Sequence, residues 1–338
     1  MSGNTGDDGT YTATQYISLD SKETNTIYSN SLNQIHVQVK FTIGVEDGSA
    51  VDPDPTQNKA VVTLVEYTTG APIRCSDDGA PTVENPVPGW SYSTIKGDYC
   101  NPFVQGAGPG HDTTNPSDQP STETLDSTPE FEYRHFYLSD NSGTNDGLQV
   151  ASCIAWKDPK TGKPLAWDTT ATGTAPASVQ LNAITPKTYS SLNTNGAKLD
   201  YQDYGYARIP AGSTCYLGNF FFKITDPGFK IKSSYITGNT VDSPFAVTVS
   251  NGVHVYFYAW PTGDYGTDVV KFLDINVSYN QRANQLCIAR GMISNYNADG
   301  DGWNNPLYAT IYDDYGNIGK FKITIGNDRV RPQLLDNN

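Results

Sequence analysis

The sequence predicts an all-β chain of two tandem immunoglobulin-like β-sandwich modules. Three observations predict it. Apolar and polar residues alternate at period two in many short runs, and no stretch carries apolar residues at helical spacing over three turns. Turn signals rich in Gly, Asn and Asp separate those runs. Short anchors recur in the same order in the two halves, as a duplicated module would leave them.

The strand signals run from one end of the chain to the other. Ile35, Val37, Val39 and Phe41 alternate with His36, Gln38 and Lys40. Ala60 to Tyr67 and Phe245 to Val249 are rich in β-branched residues, and Val269 to Tyr279 sets Phe272, Asp274 and Asn276 against Leu273, Ile275 and Val277. Such alternation marks a strand with one face buried. Glu46-Asp47-Gly48, Asp226-Pro227-Gly228, Ser250-Asn251-Gly252 and Tyr315-Gly316-Asn317 each supply a residue able to take positive φ. Roughly seven short strands per module with such turns fit a sandwich.

The anchors of the expected duplication are these. Asn33 to Val39 matches Asn251 to Phe257. Cys153-Ile154-Ala155 matches Cys287-Ile288-Ala289, with Trp167 and Trp303 following. Tyr201 to Gly205 matches Tyr312 to Gly316, and Phe222 to Thr225 matches Phe321 to Thr324. They divide the chain into a polar tail over 1–14, a first module over 15–228 and a second over 229–338. The first module is the longer because of an insertion at about 46–130, where Gly and Pro are dense, and a smaller expansion lies at about 168–200. Cys153 and Cys287 then read as small buried side chains on equivalent core strands.

Composition narrows the function. The net charge is −14, from 22 basic and 36 acidic residues. Lys157, Lys160 and Lys163 are too few for a phosphate-binding footprint, so nucleic acid and anionic membrane surfaces are not expected partners. No run approaches the roughly 18 apolar residues of a membrane helix. The beginning, MSGNTGDDGT, carries no recognisable signal peptide. Aromatics at 12% supply enough apolar surface for a core.

Catalytic patterns are weak. No G-x-S-x-G or H-E-x-x-H occurs, and Ser93 to Lys96 satisfies S-x-x-K without the motifs that accompany it in enzymes. Gly106 to Gly110 is Gly-rich but contains Pro109, which has no N–H for a phosphate, and no helix signal follows. The acidic pairs Asp77-Asp78 and Asp313-Asp314 read as solvated surface. His36 and His254 share a repeat position and read as packing histidines, with no metal-ligand residue near them in sequence.

Three groups of residues stand out as candidate sites. Asn295, Asn297, Asp299 and Asp301, with Gly300 and Gly302, resemble the first half of a calcium loop, but Pro306 or Tyr308 stands where its closing acid belongs. An Asx- and Gly-rich turn uses the same residues. The turn is the preferred reading, so no cofactor is expected, and calcium is the alternative. Cys75 and Cys100 bracket a Gly/Pro-rich loop and form the candidate disulfide; the cysteine count of five is odd, so at least one thiol is left over. Tyr256, Tyr258, Trp260, Tyr265, Tyr204 and Tyr206 form the candidate binding surface, since Tyr and Trp combine large rigid contact area with a polar tip.

The expected function is therefore a non-enzymatic structural or adhesive protein of a cell surface, fibre or virus particle. Self-association or another protein is the expected partner. A glycan-binding module is the second reading, and a secreted toxin or effector acting on host cells the third. All three imply an extracellular or surface location.

Overall fold

The computed structural model of the chain describes residues 5–6, 9–19, 24–45, 60–101, 131–158, 161–173, 176–191, 197–208, 214–238, 245–250, 253–260, 269–272, 275–278, 282–294, 307–325 and 331–337. The described residues are all-β, without a helix, and lie in several sheets. No described helix is long and apolar enough to cross a membrane. The chain forms two compact units, which divide at Pro186 and Lys187.

The first unit holds β1 (Thr5–Gly6), β2 (Gly9–Leu19), β3 (Thr26–Tyr28), β4 (Ile35–Val45), β5 (Val61–Glu66), β6 (Arg74–Cys75), β7 (Trp90–Ser93), β8 (Glu132–Asp140), β9 (Asp146–Lys157), β10 (Pro164–Asp168) and β11 (Val179–Ile184). One sheet runs β1-β2-β4-β8-β7-β6. The other is built around β9. Its residues 150–155 pair with β5, while β10 and β11 pair in succession with residues 153–157 and 146–150. A strand has two edges, so β10 and β11 lie end to end opposite β5, and β3 runs parallel outside β11. Inward residues of both sheets close one core: Val37, Val39, Phe41 and Leu138 from the first, Leu64, Val150, Ile154 and Leu181 from the second.

The second unit holds β12 (Thr188–Tyr189), β13 (Ala197–Arg208), β14 (Thr214–Ile224), β15 (Ile231–Thr237), β16 (Phe245–Ser250), β17 (Val253–Trp260), β18 (Val269–Phe272), β19 (Ile275–Ser278), β20 (Leu286–Ser294), β21 (Leu307–Asp313), β22 (Ile318–Ile325) and β23 (Pro332–Asp336). Its sheets run β13-β14-β20-β17-β16 and β12-β22-β21-β15, with β23 beside β22, and β18 and β19 pair as a separate hairpin. Phe220, Phe222, Leu286 and Ile288 of one sheet meet Ile231, Leu307, Ile311, Phe321 and Ile323 of the other in a single core.

The two units share a strand order. The path β2-β4-β8-β7 has its counterpart in β13-β14-β20-β17, and β5-β9-β11-β3 in β15-β21-β22-β12. The match includes the parallel pairs β3–β11 and β12–β22. One connection differs: β3 follows β2, whereas β12 precedes β13. Even a turn is repeated. Asp158 follows β9 and receives the Thr161 hydroxyl at 2.8 Å and a hydrogen bond from Tyr11. Asp313 ends β21 and receives the Tyr189 hydroxyl at 2.8 Å. Gly162 and Gly316 close the two turns at φ of 68° and 78°, where a Cβ would be strained.

The sequence anchors do not mark these equivalences. His36 lies on β4, whose counterpart is β14 rather than the β17 of His254, and Cys153 lies on β9, whose counterpart is β21 rather than the β20 of Cys287. Phe222 and Phe321 face each other in one core, 5.6 Å between ring centroids. Period-two strings of Val, Ile and aromatics match one another whatever strand they come from, so short anchors carry little positional information. The segment 187–228, which the anchors assign to the first module, contributes β12, β13 and β14 to the second unit. The stretch 46–130 is also more than an insertion, because it supplies β5 to one sheet and β6 and β7 to the other, with Trp90 and Tyr92 in the core. Val269 to Tyr279, read as one strand, contains the hairpin of β18 and β19. Two residues separate the strands, so the period-two pattern passes through the reversal unbroken.

Candidate functional site

The first sheet of the first unit buries one face and leaves an aromatic one outside. On β2 the inward residues Tyr11, Ala13 and Gln15 leave Thr14, Tyr16 and Ser18 exposed. On β4 the same alternation puts His36, Gln38 and Lys40 outside, and on β8 it puts Tyr133, His135 and Tyr137 there. Register then fixes the rows. Tyr16 stands opposite Lys40 and Lys40 opposite Tyr133; Ser18 stands opposite Gln38 and Gln38 opposite His135; His36 stands opposite Tyr137.

The side chains in these rows touch. The Lys40 ammonium lies 4.3 Å from the Phe131 ring centroid and 5.6 Å from that of Tyr133, as a cation–π pair. Phe131 packs against Tyr16 at 6.1 Å. His36 stacks on Tyr137 at 5.1 Å with 20° between the planes. His36 Nε2 lies 2.9 Å from His135 Nδ1, a hydrogen bond in which one nitrogen carries the proton and the other accepts it. Tyr16 and Tyr133 remain 54% and 41% exposed.

Sequence reasoning passed over this face. His36 and His135 are 99 residues apart, and only the pairing of β4 with β8 joins them. A signal was present in Tyr133-Arg134-His135-Phe136-Tyr137, where alternate positions put two tyrosines and a histidine on one face. A second, smaller exposed aromatic group lies in the other unit, where Tyr235, 63% exposed, meets Tyr312 edge-on at 6.0 Å.

The residues expected to form the binding surface are placed only by backbone. Tyr256, Tyr258 and Trp260 lie on β17 opposite Gly291, Ala289 and Cys287 of β20. Ala289 and Cys287 are buried, as are Leu286 and Ile288 on the opposite face of that strand. Tyr204 falls at the β-bulge of β13 and Tyr206 stands opposite Tyr216. Tyr265 and the candidate calcium residues Asn295, Asn297, Asp299 and Asp301 lie outside the described residues.

Of the candidate disulfide pair, Cys75 lies half-buried on β6 and Cys100 is buried at the end of its loop. Cys75 belongs to a polar cluster with Tyr92 and Asp77. Burial pushes its thiol up, which disfavours the thiolate a nucleophile needs. Burial and the neighbouring Cys75 push Tyr92 up to about 12. Burial also works to raise Asp77, but hydrogen bonds from Ser93 and Thr94 outweigh it and hold the carboxyl below its ordinary value. Cys153 is half-buried and its thiol is raised by burial and by Asp168. The acidic pair Asp313-Asp314 differs from the expected solvated surface, since Asp313 is fully buried. Each of Asp77, Asp158 and Asp313 receives hydrogen bonds from its own turn or from a neighbouring strand, which is structural work. No family model and no curated protein matches this chain.

Proposed function

We propose that this chain is a non-catalytic structural or adhesive protein of an extracellular or particle surface, built from two tandem immunoglobulin-like β-sandwich modules, and that it works by presenting sheet faces to a second copy or another protein. The strand orders support the modular reading. Sheets β2-β4-β8-β7 and β5-β9-β11 follow the immunoglobulin order of A, B, E and D facing C, F and G, with β3 as an extra strand parallel to the last; β13-β14-β20-β17 and β15-β21-β22 repeat it. The exposed face of Tyr16, Phe131, Tyr133 and Tyr137 carries the functional reading. Rigid aromatic area with polar tips is what anchors protein interfaces, and monomers seldom leave it uncovered.

Light scattering after size-exclusion chromatography, over a concentration series, tests this. The wild-type chain is expected to run above the monomer mass, and Tyr16→Ser combined with Tyr133→Ser to shift it toward monomer. A wild-type chain that stays monomeric at every concentration and captures no partner protein refutes the proposal. Glycan binding is the second reading. Its support is the near-parallel stack of His36 and Tyr137 with Gln38 and Ser18 beside it, a flat ring surface next to polar groups. A glycan array probed with wild-type and Tyr137→Ser chains separates the two readings.

A further inference from the structure

We propose that His36 and His135 form a binding site for a divalent transition-metal ion of the Zn2+ or Cu2+ class on the outer face of β4 and β8. The proposal goes beyond the adhesive reading and does not depend on it. The two residues sit diagonally across an antiparallel pair, because His36 is opposite Tyr137 and His135 opposite Gln38. Diagonal neighbours lie within reach of long and aromatic side chains. Here the rings bring Nε2 of His36 to 2.9 Å from Nδ1 of His135. Metal–imidazole bonds of about 2.0–2.1 Å meeting at about 90–109° hold their nitrogens roughly 2.9–3.4 Å apart. That is the spacing of two adjacent ligands on one ion, and a tilt of the two rings, now inclined at 26°, turns both lone pairs toward it; imidazole suits this class of metal.

The neighbours favour the ion. Tyr137 stacks on His36 and restrains its ring plane, a positioning role. Lys40, a cation on the same face, is held over Phe131 and Tyr133. The groups around the pair, Gln38, Ser18 and Tyr137, are uncharged at neutral pH, and the chain as a whole carries −14. Binding needs no net loss of a proton from two neutral rings. The ring that donates in the apo hydrogen bond moves its N–H to its other nitrogen, which frees the lone pair for the metal. Among the described residues no third His, Cys, Asp or Glu joins the pair. The remaining coordination positions are open to water or to a donor from a bound partner.

Titration calorimetry of the full chain with Zn2+, and electron paramagnetic resonance with Cu2+, test the site. Expected are one ion per chain, a Cu2+ spectrum with two imidazole nitrogens, and loss of affinity by at least roughly tenfold in His36→Gln and in His135→Gln alike. His254→Gln is expected to bind as wild type. Both key substitutions fall on the outer face of the sheet, His135 exposed and His36 half-buried, and circular dichroism of each variant checks that the sheet is intact. No Zn2+ binding by the wild-type chain, or folded His36→Gln and His135→Gln chains that bind as wild type, overturns the proposal. Neither result bears on the association measured with the tyrosine variants.

Discussion

Tyr189→Phe removes the donor of a buried hydrogen bond to Asp313, and the size of the effect follows from the site's geometry. Asp313 is fully buried at the end of β21 and accepts from the Tyr189 hydroxyl at 2.8 Å, the Tyr315 N–H at 2.8 Å, and the Asn317 N–H and Nδ2 at 2.9 Å each. Burial raises its carboxyl above the ordinary value even though all four bonds act to lower it. The substitution removes a single donor and nothing of the ring's packing, since Tyr189 is itself 3% exposed. A hydrogen bond to a charged group contributes about 1.5–3 kcal/mol, and one between neutral groups about 0.5–1.5 kcal/mol. The penalty should therefore be greater at pH 8 than at pH 4, because the ionised fraction of Asp313 rises with pH. For a unit of about 150 residues, 1 kcal/mol moves Tm by about 2–4 °C, so with Asp313 ionised the unit's calorimetric transition should fall by roughly 3–12 °C. Tyr235→Phe, at 63% exposure, should leave it in place. An unchanged transition in Tyr189→Phe at both pH values, or an equal loss in Tyr235→Phe, refutes the reasoning.

Four further outcomes are expected. Phe41→Ala, which empties a position 1% exposed in the first core, should cost about 3–5 kcal/mol in denaturant unfolding of that unit. Gly319→Ala should cost about 1–3 kcal/mol, because an added Cβ would stand 2.9 Å from the Tyr189 Cβ and 2.9 Å from a Phe321 ring carbon, and a calorimetric scan reads the loss in the second unit. The pH dependence should divide by residue. Asp77 has a lowered folded pKa, so its contribution is present above the unfolded value of about 3.9 and is lost as pH falls through the folded value; Asp313 has a raised one, so its contribution declines as pH rises from about 3.9 through the folded value. Acid titration of Asp77→Asn should accordingly show a shallower loss of stability in the first unit. Cys75 should alkylate more slowly at neutral pH than a free thiol, and mass spectrometry of iodoacetamide-treated native chain reads the rate.

The alternating runs at 35–41, 60–67 and 245–249 were legible as strands because period two is a local property of the chain. The short strands β6 and β7 were not, because Gly and Pro crowd around them and only their pairing, with each other and with β8, makes them strands. The candidate face divides the same way. Tyr133, His135 and Tyr137 are alternate residues in the sequence, but Tyr16, His36 and Lys40 join them through register, and register is a long-range choice.

By itself the sequence determined the all-β class, several of the longer strands and the surplus of aromatic side chains, since each depends on residue type and near-neighbour spacing. Only the tertiary structure decided which strands are equivalent in the two units, that Asp313 is interior, and that His36 meets His135. Those outcomes depend on which strand edges pair and which faces are buried, and residues 99 apart carry no local signal of it.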